Sequence, residues 1–94
     1  MYACITRYQV APSMLDDMVA RLDEIGAQLS KIPGTLVAYN AWNDDGESVV
    51  FGIYESEAAA EAAQPRIRAI WGELEGLLVG APEPQTFSHV KKTL

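Results

Sequence analysis

Apolar residues recur along this chain with two different periods. From Tyr2 to Val10 the run is rich in β-branched and aromatic residues, which predicts a first strand. Pro12-Ser13 stops it, and Ser13 is expected to cap the next helix with Asp16 near the positive end. Leu15, Met18, Leu22, Ile25, Leu29 and Ile32 then fall at alternating steps of three and four. That spacing is the apolar stripe of an amphipathic helix, and Pro33-Gly34 ends it. Thr35 to Trp42 and Ser48 to Tyr54 read as two strands. Asn43-Asp44-Asp45-Gly46-Glu47 between them tolerates positive φ and closes a hairpin. Ser56 is positioned to cap an alanine-rich helix from Glu57. Pro65 removes a donor and disfavours helical angles at Gln64, so a break is expected after Ala63. A further helical segment from Pro65 to about Val79 carries Ile67, Ile70 or Trp71, Leu74 and Leu77 or Leu78, with Gly80 as its stop. Ala81 to Gln85 is expected as a loop and Thr86 to Thr93 as the last strand.

The order strand, helix, strand, strand, helix, strand implies an α+β fold. The expectation is a ferredoxin-like βαββαβ sandwich over residues 1–94, a four-stranded antiparallel sheet with its helices on one face. The uncovered face of such a sheet should be polar in a monomer. It is not: Thr35, Val37, Tyr39 and Ala41 alternate with Leu36, Ala38, Asn40 and Trp42, and Val49, Phe51 and Ile53 alternate with Val50, Gly52 and Tyr54. Neither face is hydrophilic, so a second cover is required and no element remains to supply it. Hiding ~500 Å² of apolar surface per subunit at about 25 cal/mol/Å² favours association by about 12 kcal/mol before entropy losses. A homodimer with sheets face to face is the expected answer.

Composition narrows the functions. At 49% hydrophobic and 21% charged residues the chain is globular, not disordered. A net charge of −6 repels polyphosphates and argues against nucleic acid as partner. The single cysteine, Cys4, cannot make an internal disulfide and suits a reducing compartment. The N-terminus is too polar for a secretion signal and no stretch reaches the ~18 apolar residues of a membrane span, so a cytoplasmic protein without membrane contact is expected. One histidine and one cysteine do not build a zinc site, no glycine-rich phosphate loop exists, and Asp44-Asp45-Gly46-Glu47 lacks calcium-loop spacing.

Pro33-Gly34 leading straight into a strand, and above all Phe51-Gly52-Ile53-Tyr54-Glu55-Ser56-Glu57-Ala58, resemble the antibiotic biosynthesis monooxygenase-like domains of the dimeric α+β barrel superfamily. The resemblance covers nearly the whole chain. It implies a homodimer whose sheets close into a barrel, and a pocket in each subunit between sheet and helices. Some members of that family oxidise polycyclic aromatic polyketides with molecular oxygen and no cofactor, others degrade haem, and others act on quinols or autoinducer-like molecules. Haem-degrading members use a first-strand asparagine with a tryptophan and an iron-binding histidine on the second helix. Here the first strand has no asparagine, and the only histidine, His89, falls on the expected last strand, so only Trp71 matches in kind.

Cofactor-free oxygenation needs a dry site shaped for a flat ring system, with donors for a developing oxyanion. The candidate catalytic residues are Asn40, Trp71, Tyr54 and His89, and the candidate substrate contacts are Arg7, Phe51, Ile67 and Leu74. Each has a plainer role beside it. Trp71 sits on an apolar stripe and packs the core; Tyr54 ends a strand, where aromatics pack well. Asn40 is depleted mid-strand and needs a partner when buried, either a ligand oxygen or a second subunit. Arg7 suits an ion pair, and His89 a solvated or subunit-contact position. Two functions are therefore expected: a cofactor-independent monooxygenase acting on a planar phenolic or quinonoid metabolite, with a closed pocket beneath Trp71, or a dimeric barrel that binds a small molecule or serves a structural role without chemistry. An RNA-binding sheet would need basic flanks, and Glu47 and Glu55 flank the third strand instead.

Overall fold

A computed structural model describes residues 1–94. The chain runs β1 (Tyr2–Gln9), α1 (Leu15–Leu29), β2 (Thr35–Trp42), β3 (Glu47–Tyr54), α2 (Glu57–Leu74) and β4 (Glu83–Phe87). The four strands form one sheet in the order β2-β3-β1-β4, antiparallel throughout. This is the ferredoxin-like α+β arrangement that the order of elements predicts.

Strand alternation and register assign the faces. Tyr2, Cys4, Thr6 and Tyr8 pair with Tyr54, Gly52, Val50 and Ser48, and these residues face the helices. Ile5, Val37, Tyr39, Val49, Phe51 and Phe87 share the opposite face, where Tyr39 is 69% exposed. Two clusters fill the space under the helices. One gathers Tyr8, Val10, Met18, Ile70 and Leu74; the other gathers Ile32, Tyr54, Ala60 and Ala63. The predicted stripe of α1 therefore packs as expected, with Leu15, Leu22, Ile25 and Leu29 around Met18.

Two glycines hold the connections. Gly46 in the β2–β3 hairpin has φ 88°, accepts the Val10 N–H at its carbonyl (2.9 Å), and lies so close that a Cβ would collide with the Val10 carbonyl. Gly34 has φ 82°, and a Cβ there would meet the Ala59 side chain at 2.6 Å. The chain therefore passes from α1 into β2 hard against the first turn of α2.

Several boundaries differ from the expectations. Ser13 does not cap α1: Pro12–Met14 already wind as a 3-10 turn, so Ser13 is inside the coil and Met14 takes the cap position without a side-chain bond. The helix ends at Leu29, and successive turn bonds carry Ile32 on into the second cluster. Pro65 does not break α2, which runs unbroken from the Ser56 cap (Ala59 N–H to Ser56 Oγ, 3.1 Å) to Leu74. A proline in a helix interior costs ~3 kcal/mol. Here Pro65 and Glu61, the residue whose carbonyl loses its donor, are both exposed, so water can solvate that oxygen. Ala60, Ala63, Ile70 and Leu74 on either side bury one continuous face that outweighs the loss. After α2 a 3-10 turn (Glu75–Leu77) replaces the expected last helical turn, and Leu78 bridges to Val10. β4 starts early, at Glu83 opposite Arg7, not at Thr86, and Pro84 is tolerated because β4 is an edge strand. The strand stops at Phe87, so His89 lies beyond it.

Candidate active site

A partly open cavity of about 410 Å³ lies between the helix-facing side of the sheet and the two helices. Its origin is a cross-strand row of small residues. Ala38 pairs with Gly52, Gly52 with Cys4, and Cys4 with Thr86. Large aromatics packed against the helices stand on either side of this row: Tyr2 and Tyr54 at one end, Tyr8 at the other. Helices resting on the aromatic ends cannot descend into the middle, and a hollow remains. Met18, Ile25 and Leu29 of α1 form one wall; Ile67, Ile70, Trp71 and Leu74 of α2 form the other, with Pro82 and Pro84 at the rim.

Polar groups are few: Thr6, Thr35, Asn40 and Tyr54 in the sheet floor, and Gln64 and Arg68 on α2. Asn40 is the best defined. The Tyr8 hydroxyl reaches across β3 and donates to Asn40 Oδ1 at 2.8 Å. With its carbonyl engaged, the Asn40 amide presents its NH2 to the cavity, two donors without a side-chain partner. Tyr8 is itself fixed by an edge-to-face contact with Trp71, ring centroids 5.1 Å apart at 65°. Burial pushes the Tyr8 phenol above its ordinary pKa, partly offset by the neighbouring Ser48 hydroxyl. Tyr54 is raised too, by burial first and by Cys4 second. Both phenols are therefore neutral donors around pH 7, not bases. Thr35 Oγ1 is buried on the lining with no partner.

Of the residues singled out from sequence, Asn40, Tyr54, Trp71, Ile67 and Leu74 share this cavity. Arg7 and Phe51 do not: odd positions of β1 and β3 point to the opposite face, where Arg7 sits opposite Glu83. His89 is exposed beyond β4 and is not among the lining residues. The cavity adds Cys4, Thr6, Thr35, Gln64 and Arg68, and behind it Tyr8. The expected break at Pro65 separates Gln64 from Trp71, and Arg68, on the same expected segment as Trp71, lies outside the apolar stripe read there; on one unbroken helix the spacing 64, 67, 68, 71 is a single face. Thr35 escaped because a bulge at Leu36 shifts the alternation of β2: Thr35 pairs with Tyr54, yet Val37 pairs with Ile53. No group of three or more His, Cys, Asp or Glu side chains is placed to hold a metal, and no helix is long and apolar enough to cross a membrane.

No family model and no curated protein sequence matches the chain. Solved structures do. The monooxygenase ActVA-Orf6 of Streptomyces coelicolor, in complex with nanaomycin D, superposes with TM-score 0.75 at 24% identity, over 99% of this chain and 90% of that one. Rv0793 of Mycobacterium tuberculosis gives TM-score 0.78 at 20% identity, over 99% and 98%. An alanine-for-asparagine variant of SnoaB, a cofactor-independent oxygenase of Streptomyces nogalater, gives 0.70 at 20%, over 98% and 95%. At these identities the likeness is one of fold, and the fold is that of the antibiotic biosynthesis monooxygenase-like domains.

Proposed function

We propose that this chain is a homodimeric cofactor-independent oxygenase that holds a planar phenolic or quinonoid metabolite in the cavity between Trp71 and the sheet. The observation that carries the reading is the cavity itself. Its volume of about 410 Å³ falls within the ~300–1,000 Å³ of small-molecule sites, its walls are apolar, and the Asn40 amide is aimed into it. The ligand complex of ActVA-Orf6 supports small-molecule binding at this fold.

The chemistry asks the protein for little. A ring methylene flanked by a carbonyl loses a proton, and the resulting carbanion shares its charge with the carbonyl oxygen. One electron passes to O2, the two radicals combine, and loss of water leaves a new carbonyl: CH2 plus O2 gives C=O plus H2O. The Asn40 NH2 and the Tyr54 hydroxyl supply donors for the oxyanion in a largely apolar site. No neutral-pH base is needed if the proton leaves through the open side of the cavity to water. Dimerisation is proposed from the apolar face carrying Val37, Tyr39, Phe51 and Phe87, for which the chain itself has no cover.

Oxygen uptake with anthrone tests the activity. The wild type is expected to consume one O2 per anthrone, and Asn40→Ala or Trp71→Ala to lower kcat/KM by 10-fold or more, about 1.4 kcal/mol or greater in transition-state stabilisation. A second reading, a binding protein without turnover, is favoured by the raised phenols of Tyr54 on the lining and Tyr8 behind it, which stay protonated at pH 7 and offer no base. Tight binding of anthraquinones with no oxygen uptake across a panel of anthrones selects it.

A further inference from the structure

The lining carries one formal charge. A chain with thirteen acidic residues keeps every carboxylate off the cavity wall and places Arg68 on it. Arg68 stands one turn after Gln64 and one before Trp71 on the cavity-facing side of α2. The positions three and four residues away are Pro65, Gln64, Trp71 and Gly72, so no carboxylate lies where an intrahelical ion pair would form. The neighbouring Arg66 donates its Nη1 to the Lys31 carbonyl at 3.1 Å, whereas Arg68 has no such bond. Arg68 is exposed while Ile67 and Trp71 beside it are half-buried. An exposed arginine on the lining of a partly open cavity puts a cation within reach of whatever enters it.

We infer that Arg68 binds an anionic oxygen group, a carboxylate or an acidic phenolate, at the edge of the ligand, so that the cavity selects planar ring systems that carry one. A planar guanidinium pairs with two oxygens at once, which a lysine does not. In a chain of net charge −6 the long-range field repels anions, and one unpaired cation at the mouth reverses that locally. The inference rests on the small-molecule reading of the cavity and goes beyond it by naming the ligand's charge.

The test is a titration of the full chain, followed by tryptophan fluorescence, with anthraquinone-2-carboxylate and its neutral carboxamide as probes. The wild type is expected to favour the carboxylate by roughly three- to tenfold at low salt, an exposed but forked ion pair. The preference should narrow as salt rises. Arg68→Gln should level the two affinities while leaving that for the carboxamide unchanged, and Arg68→Lys should keep part of the preference. Equal affinities in the wild type, or a preference that survives Arg68→Gln, overturn this inference alone. Failure of both probes to bind overturns it together with the reading of the cavity as a small-molecule site. Thermal melting should match the wild type in both variants, because the replaced side chain is exposed.

Discussion

The two faces of the sheet invert the usual distribution. The face under the helices carries Thr6, Thr35, Asn40, Ser48 and Tyr54 among small residues; the face without helices carries Ile5, Val37, Tyr39, Val49, Phe51 and Phe87, beside Arg7, Glu83 and Gln85 toward the β4 edge. In an antiparallel sheet with one wet side the polar residues belong outside. Here the covered side holds hydrogen-bonding groups over a hollow, and the uncovered side is greasy. The first face is shaped for a ligand that is not protein, and the second for a surface that is. Polarity under the helices cannot be explained by solubility, and apolarity on the open side cannot be explained by the protomer's own core.

The largest test of this contrast is electrostatic. Tyr39→Glu combined with Phe51→Glu places two carboxylates on the open face without touching the cavity. Sedimentation velocity is expected to show a wild-type dimer at micromolar concentration and a monomeric double variant, with the association constant reduced by more than 100-fold, about 2.7 kcal/mol or more. A wild-type monomer would remove the reason for the greasy face. Next in size is a change inside the hollow. The space above Gly52 has nothing nearer than 3.6 Å to an added Cβ, so Gly52→Ala should fold normally, whereas Gly52→Val should fill the row between Ala38 and Cys4. Anthraquinone binding is expected to weaken at least tenfold in Gly52→Val while the dimer persists; intact binding would place the ligand elsewhere. The smallest effect belongs to the bridge between strands. Tyr8→Phe removes the bond to Asn40 and should lower stability by about 1 kcal/mol in urea denaturation. It should also flatten the alkaline limb. The folded Tyr8 phenol has a raised pKa, so above about pH 10 the unfolded chain sheds that proton first and stability falls as pH rises. The variant should lose part of that slope.

The elements of this fold were legible because their signals are local: the stripe from Leu15 to Ile32, the hairpin acids around Gly46, and the Ser56 cap are each decided within a few residues. What escaped was decided by contacts far along the chain. Pro65 stays helical because a buried face on both sides holds it. β4 starts at Glu83 because it pairs there with Arg7 on β1, a distant partner that no strand propensity announces. Part of the cavity was also readable: Asn40, Tyr54, Trp71, Ile67 and Leu74 were singled out on residue type and helical spacing. Parity within one strand already sets Phe51 and Tyr54 on opposite faces, whereas the face of Arg7 relative to Asn40 follows only from the pairing register, and His89 from where β4 ends. Tyr8 was harder. Its partner lies two strands away, and only the register of β3 brings the two within reach.

The bulge at Leu36 has a consequence for how such a cavity diversifies. The extra residue moves Thr35 to the helix side without altering any downstream pairing of β2. Deleting Leu36 would restore strict alternation with Thr35 still opposite Tyr54, whereas deleting Thr35 would put Leu36 there and retire the buried hydroxyl; either change leaves Asn40 in register. In this architecture the recognition surface can be edited by chain length alone, at a strand entrance whose downstream pairing is untouched.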